Sequence, residues 1–166
     1  MSLTSKTGDI VSVEMNNLLD PAEAGLLMSS WTRKRKACNN PLFDTFCFEI
    51  DVLNWLLESI PTRVGSFSGS NIYLPKNKPE TQEGLEPFLD WSCKPLESDV
   101  IDDPFSADKD IDDNHVIMME YRNSTRAVCH INTNSAFPQR RILICGLKGT
   151  LEGQFTSFFF HFEEEF

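Results

Sequence analysis

The sequence predicts an α+β domain, in which an open-faced, predominantly antiparallel β-sheet carries a helix packed on one face. Three observations predict this class: one long amphipathic stretch behind a helix-start signal, a C-terminal half of short alternating segments, and 13 phenylalanines. With 166 residues, 40% of them hydrophobic, the chain suffices for a single domain spanning 1–166 with a sizeable core.

The N-terminal half is predicted to hold a strand, a helix and a second strand. Residues 9–19 alternate between more and less apolar positions, which favours a strand. Residues 22–38 are predicted to be a loop with a helical turn. Asn40 and Pro41 form a helix-start pair, and the helix is predicted to stop before Pro61. Its apolar stripe comprises Phe43, Phe46, Cys47, Ile50, Leu53 and Leu57, widened by Trp55 and Leu56.

The C-terminal half is predicted to consist of antiparallel hairpins. Residues 62–74 form a strand, and 75–113 form a long, proline-spotted connection anchored by Trp91 and Phe105. Asn123 is the turn residue expected to adopt positive φ. The later strands are predicted at residues 115–121, 126–134, 140–145, 150–155 and 156–162.

Net charge and cysteine content indicate which classes of partner and which cellular compartment to expect. The net charge of −10 disfavours nucleic acid as a partner. The basic run at 33–36 is either a solvated loop or an anion-contacting loop beside a cleft. The five cysteines, without a C-x-x-C pair, are expected to be buried free thiols. Since neither a membrane span nor a signal core is visible, we expect a soluble, cytoplasmic protein.

The sequence predicts no metal site. The acidic run at 108–113 begins like a calcium loop but has Asp113 where the glycine belongs and Met119 where the final glutamate belongs. His115, His130 and His161 lack a metal-ligand spacing. We therefore expect each histidine to occupy a surface or partly buried strand position.

Three segments carry a resemblance to a known family. They are Asp-Val-Leu-Asn-Trp-Leu-Leu at 51–57, Met-Glu-Tyr-Arg-Asn-Ser at 119–124 and Cys-Gly-Leu-Lys-Gly-Thr-Leu-Glu-Gly at 145–153. In this order they resemble the C-terminal domain of the glucose–fructose oxidoreductase / inositol dehydrogenase (Gfo/Idh/MocA) family, from about Gly8 to about Gly153. The resemblance implies a sheet domain that follows a Rossmann domain, sugar- or polyol-like substrates, and homo-oligomers formed through the open sheet face.

The resemblance also implies that NAD or NADP is bound by the Rossmann domain, which is absent from this chain. No G-x-G-x-x-G occurs, and the glycines at 146 and 149 have the wrong spacing. The family's catalytic lysine, in an E-K-P motif, has no counterpart here. We therefore expect this chain alone to bind no cofactor and to be inactive.

The family's helix signature, D-x-G-x-H-x-x-D, aligns with residues 44–51. Asp44 and Asp51 match its aspartates, whereas Phe46 replaces the glycine and Phe48 replaces the histidine. The histidine would act as general acid/base, a role that a phenyl ring cannot take, whereas Glu49 could act as a base. The aspartates could bind substrate hydroxyls, or Asp44 could simply stabilise the helix start. The candidates for one wall of the substrate cleft are Trp31, Arg33, Asp44, Phe48, Glu49 and Asp51.

Two functions therefore stay open. The first is the substrate-binding and assembly domain of an NAD(P)-dependent oxidoreductase. The second, suggested by the lost histidine, is a non-catalytic ligand-binding or dimerisation module derived from the same family.

Overall fold

The computed structural model describes residues 4–38, 41–89, 103–154 and 157–162. It contains seven strands: β1 Ile10–Leu18, β2 Pro61–Gly69, β3 Asn114–Tyr121, β4 Arg126–Asn132, β5 Gln139–Gly146, β6 Gly149–Gln154 and β7 Ser157–Phe162. The α-helices are α1 Thr4–Thr7, α2 Pro21–Ser29, α3 Arg35–Cys38, α4 Pro41–Leu56 and α5 Gln82–Leu85. Short 3₁₀ turns occur at Trp31–Arg33, Pro75–Asn77 and Glu86–Phe88.

The strands form one open sheet in the order β2-β3-β4-β1-β5-β6-β7. All neighbouring pairs are antiparallel except β1 and β4, which run parallel. The predicted α+β class with a predominantly antiparallel sheet is therefore confirmed. The central place of β1 means that the first strand of the chain pairs with strands more than 100 residues away.

One face of the sheet forms the core together with α4. Alternate residues of the strands point to this face, as the two-residue period of a strand requires. The sheet residues of this core are Val13, Met15, Ile117, Met119, Ala127, Cys129, Ile131, Ile142, Ile144 and Leu151. Helix α4 adds Phe46 and Leu53 to the same cluster, and Leu57, directly after the helix, also belongs to it.

Helix α4 has its predicted position, and Phe46 and Leu53 of its predicted stripe are buried, but two other residues of the stripe are not. Cys47 and Trp55, assigned to the apolar stripe, are exposed, and Trp55 is 76% accessible. The inner side instead carries Glu49, which is buried between Phe46 and Leu53 along the helix. Position on the helix, rather than hydrophobicity, decides which side chains are buried here. A carboxylate can take the place of an apolar side chain on the inner side when it has hydrogen-bonding partners.

Residues 22–38 fold differently from the prediction of a loop with one helical turn. Helix α2 occupies the first part of this segment. The Asp20 carboxylate accepts a hydrogen bond from the Glu23 N–H at 2.8 Å, and Pro21 takes the first helical position. Both are standard helix-start features. The helix lacks a polar side, which hid its period in the sequence.

The long connection before β3 carries its own small aromatic core. The strand β2 ends at Gly69, earlier than predicted, and the chain then turns inward at Tyr73. The Tyr73 ring packs against Phe105, with centroids 5.4 Å apart, and Phe88 packs against Phe105 at 5.0 Å. Phe105 is thus an anchor as predicted, whereas Trp91 lies outside the described residues.

Three smaller expectations need correction. Ser124, not Asn123, has the positive φ of the β3–β4 turn, at 66°, while the Asn123 side chain accepts from the Thr125 N–H. Cys129 is a buried free thiol as expected, but the thiol of Cys47 is exposed. His115 is buried rather than at the surface, and burial lowers its pKa.

The opposite face of the sheet is open over β2, β3 and β4. Its exposed apolar residues are Phe67, Val116, Met118 and Val128. The β1, β5 and β6 part of this face is polar instead: Arg141 contacts Glu152 at 2.6 Å and Glu14 at 3.5 Å. An exposed apolar area of this kind, flanked by ion pairs, is typical of a surface that contacts a partner.

Candidate functional site

The signature residues of α4 point to different sides of the helix. Phe48 is 73% accessible, and Asp51 is also exposed on the outer side. Glu49 lies on the inner side and is only 4% accessible. Asp44 belongs to the helix, but its side chain lies outside the described residues. The aligned signature therefore divides into an outward-facing part and one inward-facing carboxylate.

Glu49 meets a polar pair supplied by the sheet. Asn17 of β1 and Arg140 of β5 are partners in the strand register, so their side chains lie on the same face. Asn17 Nδ2 donates to Glu49 Oε1 at 3.0 Å and reaches Oε2 at 3.3 Å. Arg140 Nε lies 3.5 Å from Glu49 Oε1. The three residues join α4 to the two central strands.

Burial dominates the protonation of this carboxyl. Removal from water raises the pKa of Glu49, whereas the Arg140 charge and the Asn17 hydrogen bond oppose that change. Arg140 also faces a second carboxylate, Glu23 of α2, whose pKa is raised by burial and by neighbouring Asp20. One arginine thus interacts with two partly desolvated carboxyls at the end of β1.

Trp31 and Arg33 lie in the turn that follows α2. Trp31 is 54% accessible, which leaves its ring available to a ligand or partner. Arg33 Nη1 donates to the carbonyls of Ser30 at 2.9 Å and Ser29 at 3.3 Å, so this side chain caps the end of α2. That they line the cleft together with Phe48 stays a prediction.

The basic run at 33–36 pairs with the acidic run at 108–113. Lys34 Nζ contacts Asp108 at 2.8 Å, and Arg35 Nη2 contacts Asp112 at 3.1 Å. The Arg35 N–H also donates to Asp110 at 2.7 Å. In the described part of the chain, no group of three histidine, cysteine or acidic residues is arranged to hold a metal ion.

Sequence reasoning missed Asn17 and Arg140. Asn17 was assigned only to the alternating pattern of the first strand, and Arg140 only to the start of another. A weak signal was present, because Asn17 occupies an otherwise apolar face of β1, with Val13, Met15 and Leu19 in the same alternation. A polar residue at such a position needs a buried partner.

Comparison with models of protein families shows to which family the chain belongs. Residues 4–152 match the GFO/IDH/MocA C-terminal domain. This chain belongs to the Gfo/Idh/MocA family. The resemblance found in the three sequence segments is therefore confirmed, and it covers most of the described sheet. No curated protein sequence is significantly similar to the chain.

Solved structures support the Gfo/Idh/MocA fold. An oxidoreductase domain protein from Kribbella flavida superposes with a TM-score of 0.66 at 18% identity, over 98% of this chain and 40% of that one. A levoglucosan dehydrogenase in complex with NADH and levoglucosan gives 0.64 at 15%, over 96% and 41%. The WlbA dehydrogenase from Bordetella pertussis, in complex with NADH and UDP-GlcNAcA, gives 0.63 at 14%, over 98% and 41%.

This Gfo/Idh/MocA chain spans about two fifths of the length of these structures. At these identities the likeness establishes the fold alone. Within the described ranges, no helix is both long and apolar enough to cross a bilayer.

Proposed function

We propose that this chain is the substrate-binding and assembly domain of an NAD(P)-dependent oxidoreductase that acts on sugar- or polyol-like substrates. The observation that carries the proposal is the match to the family's C-terminal domain over 4–152. Two of the similar structures are dehydrogenases in complex with NADH, and one of them also holds the anhydrosugar levoglucosan. The chain contributes a wall of the cleft and depends on a nucleotide-binding domain for redox chemistry.

The described residues do not fit a dinucleotide. A pyrophosphate needs a glycine-rich turn between a strand and a helix N-terminus. Here Gly146 ends β5 and Gly149 begins β6, so these glycines belong to a hairpin. We therefore assign this chain to the substrate and assembly side, and assign the cofactor to a separate Rossmann domain.

The outer side of α4 carries two residues of the family signature, Phe48 and Asp51, and we assign it to the proposed cleft wall. Oxidation of a hydroxyl-bearing carbon requires a base that accepts the hydroxyl proton. Phe48 cannot do so, whereas exposed Asp51 can accept a hydrogen bond from a substrate hydroxyl. Trp31 and Arg33 are proposed to complete this wall, with Asp44 as a further member, whereas Glu49 faces the sheet and does not belong to the outer side.

An activity assay tests this function. The chain alone should give no NAD(P)-dependent oxidation of any sugar or polyol. The full-length protein, with its nucleotide-binding domain, should reduce NAD or NADP in the presence of at least one of them. Turnover by the chain alone, or no cofactor binding by the full-length protein, would contradict the proposal.

Restoring the family's histidine should increase turnover. In the full-length protein, Phe48→His places an imidazole on the outer side of α4, where it can exchange a proton with a substrate hydroxyl. We expect kcat to rise about tenfold or more, measured by nicotinamide absorbance. Trp55→His, on another exposed aromatic of the same helix, is the matched control and should leave kcat unchanged. A lower rate in Phe48→His would mean that the alignment of the site is wrong.

The alternative is a non-catalytic ligand-binding or dimerisation module. Phe48 at the histidine position favours it, because the change removes the proton-transfer group while leaving the helix in place. Under this alternative the full-length protein binds a sugar without turnover, and Phe48→His does not restore a rate.

Homo-oligomer formation through the open sheet face is part of the proposal. Met118 is 52% accessible at the centre of the apolar area on β2, β3 and β4. Met118→Lys places a charge there and should convert the oligomer to monomers in sedimentation. Phe137→Lys, at an exposed apolar residue of the β4–β5 loop, should leave the oligomer intact. A wild-type chain that stays monomeric at high concentration would contradict this assembly.

We also propose a cytoplasmic location. The thiols of Cys129 and Cys145, which form no disulfide, support it, because oxidising compartments favour disulfides. Cell fractionation tests this location, and recovery in an oxidising compartment would contradict it.

A further inference from the structure

The buried carboxyl of Glu49 in α4 contacts the buried amide of Asn17 in β1, and one polar atom of this pair has no hydrogen-bond partner. Glu49 is 4% accessible and Asn17 is 2% accessible. Asn17 Nδ2 donates to both carboxyl oxygens, at 3.0 and 3.3 Å. Asn17 Oδ1 is buried without a hydrogen-bond partner. A buried acceptor without a donor destabilises the folded state.

One proton supplies the missing donor. A neutral carboxyl has one O–H donor and one carbonyl acceptor, and a primary amide has the complementary pair. The two groups can therefore close a ring of two hydrogen bonds, whereas a carboxylate can only accept. We propose that Glu49 and Asn17 form a buried proton-binding site, in which the neutral carboxyl and the amide fasten α4 to β1.

The surroundings favour the neutral form. In the described part of the chain, the charged and titratable groups that interact with Glu49 are Arg140 from β5 and Cys129 from β4. Arg140 favours the carboxylate, but its side chain is 46% accessible and it also interacts with Glu23. Water therefore screens much of its effect. The Cys129 thiol is neutral, because burial is the main cause that raises its pKa to about 12.

Protonation is thereby linked to helix packing. The folded chain holds this proton more tightly than the unfolded chain, whose glutamate has the ordinary pKa of 4.5. The stabilisation is complete below that value and is lost as pH rises through the higher folded pKa. Ionisation leaves Asn17 Oδ1 without a donor and places a charge under α4, the helix that carries Phe48 and Asp51 on its outer side. The site itself does not depend on the proposed oxidoreductase function.

Glu49→Gln tests the site on the 166-residue chain. The glutamine amide offers an N–H to Asn17 Oδ1 and an oxygen to Asn17 Nδ2 at every pH. At neutral pH we expect its unfolding equilibrium constant in urea to be lower than that of wild type, by about tenfold for each pH unit by which the folded pKa is raised. The difference should shrink as pH falls towards 4.5. Glu80→Gln, at an exposed glutamate, should match wild type throughout.

Two results would overturn the site. The first is a folded Glu49→Gln protein that is less stable than wild type at neutral pH, which would make the carboxylate the stabilising form. The second comes from wild type alone, so it remains decisive if the variant does not fold. Residue-assigned carbon-13 NMR, which separates Glu49 from Glu23, should show the Glu49 carboxyl titrating above 4.5, and if that carboxyl titrates at or below 4.5 the site does not exist.

Discussion

Replacing Gly25 with alanine should lower the free energy of unfolding by about 3 kcal/mol or more. Gly25 lies in α2, where a Cβ would sit 2.0 Å from the carbonyl oxygen of Phe88 and 3.0 Å from its carbonyl carbon. These are backbone atoms, so the clash cannot be relieved by rotating a side chain. The Glu86–Phe88 turn must move away from α2, which disturbs the packing of Phe88 against Phe105.

Urea unfolding measures this loss, and Gly65→Ala is the matched control. A Cβ at Gly65 in β2 would meet only the Met118 methyl, at 4.0 Å. Alanine there should change stability by less than about 1 kcal/mol, in the stabilising direction, because glycine costs more chain entropy on folding. Equal stability of Gly25→Ala and wild type would mean that α2 does not approach Phe88 this closely.

Replacing Asp113 with asparagine should destabilise the fold by about 3 kcal/mol. The buried carboxylate accepts the successive backbone N–H groups of Asn71 at 3.0 Å, Ile72 at 2.8 Å and Tyr73 at 3.1 Å. These hydrogen bonds hold residues 71–73, which follow β2, against the residue that directly precedes β3. An asparagine retains one acceptor oxygen. Its amide nitrogen, however, places two N–H donors where backbone N–H groups already point, so these groups lose an acceptor.

Thermal or urea unfolding checks this loss against a neighbouring aspartate. Asp112 also accepts two hydrogen bonds, from Arg35 at 3.1 Å and Ser68 Oγ at 2.9 Å, but its side chain is 21% accessible to water. Asp112→Asn should therefore cost less than about 1 kcal/mol. If the two variants lost stability equally, the turn at residues 71–73 would not depend on the buried carboxylate.

Local patterns were sufficient to predict the elements whose signals are local. Helix α4 follows a proline start and a 3.6-residue apolar period, and β3 and β4 follow alternation around a short turn. Helix α2 was missed because its residues are mostly apolar and its polar residues, Glu23 and Ser29, do not form one side, although Asp20 and Pro21 marked its start. The position of β1 between β4 and β5 could not be predicted, since no local pattern specifies pairing across more than 100 residues.

The candidate site, like the fold, could be predicted from the sequence only where the signal is local. The family signature located α4 and identified Phe48 as the departure from it, because both depend on residue identity alone. Which side of α4 faces the sheet depends on packing, so the sequence does not reveal that Glu49 is buried and Trp55 exposed. Asn17 acquires its role only through contact with a residue 32 positions away. Trp31 and Arg33 stay predictions of the cleft wall.

Cofactor titration tests most directly whether this chain is the substrate side of a two-domain oxidoreductase. NADH and NADPH are titrated by calorimetry into the 166-residue chain and into the full-length protein that includes the nucleotide-binding domain. Our account predicts no binding to the chain alone and saturable binding of at least one cofactor to the longer protein. Saturable binding to the chain alone, or none to either protein, would contradict it.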